Sequence, residues 1–264
     1  MTQSVEFFEP PYAVEVRVLG WVGVAGAGGG EEWADLQGKT VELIAWLATH
    51  PGPQSAERIR DDVWRDRTSS AKKTLNNHSS AARKRLGVGR DGALLFPSAN
   101  DDRYRLSVDV VTDVSRLERR LRWARHAAAS CALPVLRDAL ALVRGRPFAT
   151  RTGYEWAYVD QLVFHAEQLV VDVAHRLGEL CLDAGDTVGA LWASAGGLRG
   201  RPGDETLYQM RMRAFAAQGN RTSVHRSLVE MRSFLDGAAP SAATLELYEQ
   251  LMGERTVSRP TGTA

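Results

Sequence analysis

The chain has 264 residues, of which 44% are hydrophobic and 25% are charged, so it can bury a sizeable core and divide into two domains. Its 33 basic and 32 acidic residues nearly cancel, so a polyanion partner would need a local cationic patch. No apolar run approaches the roughly 20 residues of a membrane span, and the first residues lack a cationic stretch followed by an apolar one. These features exclude a membrane segment and predict a soluble, cytoplasmic protein.

Three β-rich runs come first in the chain. Val14–Leu19 and Trp21–Ala25 are rich in residues that favour strands, and Gly26–Gly30 has the composition of a flexible turn. We expect Trp33–Gln37 to add a third strand. The sequence therefore predicts a small sheet before any helix.

Two helices are predicted next. Thr40–His50 carries apolar residues around most of its circumference and ends at Pro51, which cannot continue a helix. Ser55 is a suitable N-cap for a second helix, and Glu57 would lie in its first turn. A loop at residues 65–68 leads to the third helix.

The third helix, Ser69–Leu86, is strongly cationic, since no carboxylate occurs between Arg67 and Arg90. Leu75 and Ala82 are among the apolar residues that recur at helical spacing and can face inward. Lysine and arginine neutralise phosphates, and asparagine can pair with an adenine edge, so the outer side suits a DNA groove. The alternative is a solvated charged helix. The residues on the outer faces are Lys72, Lys73, Asn76, Asn77, Ser80, Arg83 and Lys84.

A hairpin follows the cationic helix. Leu94–Phe96 and Tyr104–Leu106 are short apolar runs, joined by residues 98–102, which have turn chemistry. Arg103 and Arg105 alternate with apolar residues and so share one side of the second strand. The pattern predicts a basic wing beside a basic helix.

The rest of the chain is predicted to be helical, with Val108–Thr112 as a connector and Asp113 as the cap of the first helix. Ala184–Asp186 recurs as Gln218–Asn220, thirty-four positions later (220 minus 186). This is the period of tetratricopeptide helical hairpins, so we expect an array of that type.

Three glycines, Gly189, Gly196 and Gly197, interrupt the helix that follows Asp186. Glycine costs about 1 kcal/mol against alanine in a helix interior, so these residues need a reason. They indicate either close packing between helices or the approach of a ligand or partner, and packing is the favoured interpretation.

The segments LQGKTVELIAWLATHPG, IRDDVW, SAKKTLNNHSSAARKRLG and DDRYRLS occur in this order, which resembles the OmpR/PhoB-type winged helix. The resemblance is closer to the version in actinobacterial antibiotic-regulatory transcription activators, the SARP family. The segments RGRPF, YEWAYVDQL, LCLDAGDTVGAL and MRAFAAQGNRTSVHRSL resemble the bacterial transcriptional activator domain that follows it in those proteins.

The resemblance implies an α+β region followed by an all-α region, in detail a winged helix-turn-helix and a tetratricopeptide-like array. It places the third helix in the major groove and the hairpin near the minor groove of double-stranded DNA. The recognition-helix role falls to the seven outer residues given above. The wing role falls to Arg103, Tyr104 and Arg105.

The chain departs from the family on the inner face of that helix. Where the family usually has bulky aliphatic residues, this chain has Ser79 and Ala82, next to His78. Such a thin inner face predicts either looser docking of the helix or compensation by Trp46 and Trp64.

The predicted domains are a winged helix at residues 13–110, an activator domain at 111–253 and a disordered tail at 254–264. We expect the array to fold without the winged helix and to contact RNA polymerase or a second copy of the chain as a homodimer. Because the winged helix has too little surface for both DNA and polymerase, a loop would share that recruitment role. The polymerase-contact loop would comprise Arg65, Asp66, Arg67 and Thr68.

Enzymatic alternatives have little support in the sequence. Gly38–Thr40 resembles the end of a phosphate-binding loop, but Trp33 stands where that pattern needs a glycine. The six histidines are scattered, and Cys131 and Cys181 form no metal-binding pair. The sequence predicts no catalytic residue, metal or cofactor. The alternative to a DNA-binding activator is a scaffold whose winged helix does not bind DNA, as a soluble part of a larger protein.

Overall fold

The computed structural model describes residues 6–27, 33–36, 38–64, 69–149 and 152–253, except for the side chains of residues 69–72. This part of the chain contains a small α+β region followed by a helical array, which confirms the predicted fold class. The tail at 254–264 and the loop at 65–68 lie outside the described residues.

The first region alternates short strands with three helices. The cationic helix has the bounds that the sequence predicted, and the first helix begins two residues before its predicted start, at Gly38. The elements are β1 Val14–Arg17, β2 Gly23–Gly26, α1 Gly38–Thr49, β3 Gln54–Ser55, α2 Ala56–Trp64, α3 Ser69–Leu86, β4 Arg103–Tyr104 and β5 Val110–Thr112.

The first sheet has the order β2-β1-β5, and one of its strands was not predicted. β1 pairs antiparallel with β2 and parallel with β5, where Val14 lies opposite Val110. The prediction of a third strand at Trp33–Gln37 was wrong, because the N–H of Leu36 bonds back to the carbonyl of Trp33 in a turn. The predicted connector instead supplies β5, whose β-branched residues suit a strand.

The wing also differs from the predicted hairpin. β4 pairs with β3, where Tyr104 lies opposite Gln54, while Leu94–Phe96 is not a regular strand. Pro97 ends that segment and has no N–H for a ladder. A single backbone bond, from the N–H of Ser107 to the carbonyl of Leu95 at 2.8 Å, joins the two predicted strands.

The second region contains eight helices, and its turns confirm the repeat. Asp186 and Asn220 each accept the N–H of the residue three positions later, at 2.8 and 3.0 Å, and so cap α8 and α10. The preceding glycines, Gly185 and Gly219, have φ of 73° and 70°. The helices are α4 Asp113–Ala124, α5 Ala129–Ala141, α6 Glu155–Val159, α7 Leu162–Asp183, α8 Thr187–Gly200, α9 Glu205–Ala217, α10 Arg221–Arg232 and α11 Ala242–Gly253.

Asp113 does not cap α4 as predicted. Thr112 is the N-cap, and its side chain accepts the N–H of Ser115 while that serine bonds back. The carboxylate of Asp113 turns inward and accepts the N–H groups of Val18 and Leu19 at 2.9 to 3.0 Å. The first helix of the array is thereby fastened to the end of β1.

The two regions share a core across the predicted boundary at residues 110 and 111. Phe148 and Trp156 pack in the same buried cluster as the winged helix. The buried carboxylate of Glu42 in α1 accepts the N–H of Tyr154 at 3.2 Å and the indole N–H of Trp156 at 3.3 Å. Lys39 donates to the same carboxylate at 2.7 Å. The division into domains stays a prediction, and the experiments below therefore use the full chain.

Candidate nucleic-acid interface

The outer face of α3 is a continuous polar stripe. Lys73, Asn76, Asn77, Ser80 and Lys84 are all exposed and recur three or four residues apart, which places them on one side of the helix. The opposite side buries Leu75, Ala82 and Leu86 against the winged-helix core, as the helical spacing predicted. Five of the seven predicted recognition residues therefore face solvent together.

The inner face of α3 is thin, as the sequence indicated. Ser79 is 1% exposed, and its hydroxyl is the one buried side-chain oxygen or nitrogen without a hydrogen-bond partner among the described residues. His78 beside it bonds through Nδ1 to the hydroxyl of Thr40 at 2.8 Å, and its ring lies 5.6 Å from that of Trp64. Burial and the charge of Lys39 lower the pKa of His78. The helix is thus held by side contacts more than by bulk.

Two arginines fasten the edges of α3. Arg83 lies over the ring of Phe96 at 5.0 Å and donates through Nε to the carbonyl of Pro97 at 3.3 Å. Arg85 lies over the ring of Trp33 at 3.9 Å and pairs with a neighbouring carboxylate at 3.0 Å. Arg83, predicted to contact DNA, therefore packs between the helix and the wing.

The wing presents two cations and buries its tyrosine. Arg103 and Arg105 are exposed on one side of the segment, as the alternation predicted. Tyr104 is only 5% exposed, and its hydroxyl donates to Oδ1 of Asn76 at 3.3 Å. Burial and the charge of Asp102 raise the pKa of Tyr104. Its placement in the DNA-contacting set is therefore corrected, because this side chain attaches the wing to α3.

The tip of the wing carries two carboxylates that the sequence analysis did not single out. Asn100 and Arg103 exchange backbone hydrogen bonds at 3.2 and 2.9 Å around Asp101 and Asp102. The two aspartates have φ of 51° and 54°, as in the tight turn that usually takes Asn-Gly. The carbonyl of Asp102 also accepts the N–H of Ala56, the first residue of α2. The end of the wing is therefore rigid and acidic.

Two parts of the predicted site cannot be placed. The polymerase-contact loop, Arg65–Thr68, and the side chain of Lys72 lie outside the described residues. Within the described ranges, no three or more His, Cys, Asp or Glu side chains are grouped to hold a metal ion. None of the described helices is long and apolar enough to cross a membrane.

Comparison with known proteins supports the predicted order of parts. The sequence profile of the bacterial transcriptional activator domain matches residues 112–252, more than half of the chain. A search of the curated proteins found no match. Among solved structures, the chain is similar to Mycobacterium tuberculosis EmbR in complex with a low-affinity phosphopeptide.

The likeness to EmbR concerns the fold. The two proteins are 17% identical with a TM-score of 0.66, and the match covers 91% of this chain and 65% of the EmbR chain. The chain therefore spans about 65% of the length of that structure. Together, the profile and the fold confirm the predicted resemblance, in which a winged helix precedes an activator domain.

Proposed function

The chain belongs to the bacterial transcriptional activator domain family, and we propose that it binds promoter DNA through α3 and the wing. In this proposal the helical array contacts RNA polymerase or a second copy of the chain. The protein then acts by binding alone, without a cofactor or a catalytic step, in the cytoplasm where bacterial DNA is located.

The exposed stripe of α3 is the observation that carries the proposal. Lys73 and Lys84 stand at its two ends, where they can neutralise phosphates, and uncharged hydrogen-bonding side chains lie between them. Phosphate contacts hold a protein on a duplex, and contacts to base edges specify the sequence. Arg103 and Arg105 extend the cationic surface onto the wing.

Salt dependence of binding tests this proposal. The full chain is titrated onto a random-sequence DNA duplex at several salt concentrations, beside Lys73→Ala and Lys84→Ala. Each variant should bind less tightly and reduce the salt slope by about 1, because one phosphate contact is lost. Arg226→Ala, which removes an exposed cation from α10, is the matched control and should leave the slope unchanged.

A parent chain that is not retained on DNA even at low salt would overturn the proposal. That result would favour the scaffold alternative, which gains support from the two aspartates at the wing tip, since carboxylates repel phosphates. In that case the winged helix would serve protein contacts alone.

The array is proposed to make the protein contacts. Val188 and Trp192 lie one turn apart on α8 and remain exposed, at 71% and 41%. Exposed apolar side chains at this spacing suit a protein partner. Trp192→Ala should keep DNA affinity and lose activation in a transcription reporter. Arg65→Ala with Arg67→Ala should have the same effect if the loop shares the recruitment role.

A further inference from the structure

The hydrogen bond between Tyr104 and Asn76 separates two neighbouring asparagines that look equivalent in the sequence. We propose that Asn77 reads an adenine base, whereas Asn76 positions the wing against α3. This inference rests on the proposed DNA binding and assigns different tasks within the same surface.

The helical positions of the two residues differ in their neighbours. Asn76 and Arg83 are seven residues apart, close to two turns, and so lie along the same edge of α3. Both bond to the wing, Asn76 to the hydroxyl of Tyr104 and Arg83 to the carbonyl of Pro97, each at 3.3 Å. This edge of the helix is therefore the seam with the wing.

Asn77 lies away from that seam, near the middle of the exposed stripe. Lys73 and Lys84, at four residues before it and seven after it, occupy nearly the same line along the helix. The amide of Asn77 forms no hydrogen bond with any other described residue. It is flanked by the two lysines proposed to hold phosphates, so it would face the floor of the groove between them.

The chemistry of adenine recognition favours the unpaired amide. An asparagine that reads adenine accepts from the base N6 amino group through Oδ1 and donates to N7 through Nδ2. Oδ1 of Asn76 already accepts from Tyr104, which holds its amide toward the wing. Asn77 can orient both groups toward a base without breaking a bond inside the protein.

The test compares matched alanine variants of the full chain. A random-sequence duplex library is selected with the parent, and the preferred site is then measured beside random DNA. Asn77→Ala should weaken binding to the preferred site by about tenfold or more and leave random DNA nearly unchanged. Selection repeated with this variant should lose the preference at one A·T position.

Asn76→Ala is the matched control, and Tyr104→Phe removes the same hydrogen bond from the other side. Each should weaken binding to preferred and random DNA by the same small factor, about two- to threefold. The double variant should bind no worse than either single variant, since the two changes remove one shared interaction. This non-additivity distinguishes a positioning role from two independent structural defects.

Modified DNA supplies a readout at the level of the base. Replacing the adenine at the affected position with 7-deazaadenine removes the N7 acceptor. The parent and Asn76→Ala should lose affinity for this duplex, and Asn77→Ala should not respond. If Asn76→Ala changed the sequence preference and Asn77→Ala did not, the inference would be overturned while the proposed function stood. If the parent bound no DNA, both would fall.

Discussion

The helical array and the winged helix hold their helices in different ways. In the array, Gly196 and Gly197 of α8 let neighbouring helices approach so closely that an added Cβ would lie 2.6 to 2.7 Å from Leu140 and from Ala174. In the winged helix, α3 has a thin inner face and is held at its edges by single hydrogen bonds and cation–π contacts. A tightly packed array has little freedom, whereas α3 keeps a whole face available for a partner.

The junction between these regions is built from buried carboxylates. Glu42 binds residues of the array from the side of α1, and Asp113 binds the end of β1 from the side of α4. The junction determines how firmly a lightly held recognition helix is tied to a rigid array. The predictions therefore begin there and proceed to each region.

The largest effect is expected for Glu42→Ala. The change leaves the N–H groups of Tyr154 and Trp156 buried without their acceptor and removes the partner of Lys39. Breaking a buried charge pair typically costs about 3 kcal/mol, so the free energy of unfolding should fall by roughly that amount. Urea denaturation measures it. Glu57→Ala, at an exposed carboxylate of α2, should change it by less than about 0.5 kcal/mol.

The next effect is a pH dependence that arises at Asp113. Burial raises the pKa of this carboxyl from 3.8 to about 6, although the N–H groups of Val18 and Leu19 and the charge of Arg144 act in the opposite direction. Because the folded pKa lies above the unfolded one, the stability contribution is fully present below about pH 4. It is lost as the pH rises through about 6.

The expected size follows from the rise in pKa. One pKa unit corresponds to about 1.4 kcal/mol, so the free energy of unfolding should fall by about 3 kcal/mol between pH 4 and pH 7. Asp113→Asn should lack this fall. The difference between parent and variant, measured by urea denaturation at each pH, isolates it from other groups. A difference that stays constant from pH 4 to pH 7 would contradict the assignment.

Other carboxyl groups act with the opposite sign, at lower pH. The pKa of Glu9 is lowered because, although burial alone would raise it, hydrogen bonds from Arg116 and Arg120 outweigh that effect. Its stabilisation is lost as the pH falls toward its folded pKa, below the window in which Asp113 titrates. The two contributions can therefore be separated in one series.

In the array, Gly197→Ala should destabilise through overpacking. A Cβ at this position would lie 2.6 Å from Cβ of Ala174 and from Cδ1 of Leu207. Overpacking typically costs about 1 to 3 kcal/mol, partly offset by the better helix propensity of alanine, about 1 kcal/mol. We expect a net loss of about 1 to 2 kcal/mol in denaturation. Gly253→Ala, which would meet no atom within 4 Å, should cause no loss.

Local patterns predicted the helices and much of the exposed face. The bounds of α3 and its buried residues Leu75, Ala82 and Leu86 follow from helical spacing alone. The thirty-four-residue repeat predicted two equivalent turns, because the same residue types at Asp186 and Asn220 cap the helices in the same way. These features depend on neighbours within one or two helical turns.

Long-range pairing is what the sequence could not show. The pairing of β5 with β1 joins residues about a hundred positions apart, and Val110–Thr112 has no local signal to distinguish a strand from a connector. The buried role of Glu42 depends on Trp156, which lies in another region. At the site, the different tasks of Asn76 and Asn77 follow from the position of Tyr104, which only the folded wing determines.

The smallest effect is expected for Ser79→Ala in α3, and its direction is opposite to the others. The hydroxyl of Ser79 is buried without a hydrogen-bond partner, and such a group typically costs about 1 to 3 kcal/mol. Alanine removes this cost with little loss of volume and adds about 0.5 kcal/mol of helix propensity. The free energy of unfolding should therefore rise, by about 1 kcal/mol.

Ser80→Ala separates the two causes, because Ser80 is exposed on the same helix and can gain only the helix propensity, about 0.5 kcal/mol. Ser79→Ala should exceed this gain in urea denaturation and leave the affinity for random DNA unchanged, since its side chain does not reach the outer face. If Ser79→Ala stabilised no more than Ser80→Ala, the hydroxyl would carry no cost. The thin inner face would then not make α3 more weakly held than the helices of the array.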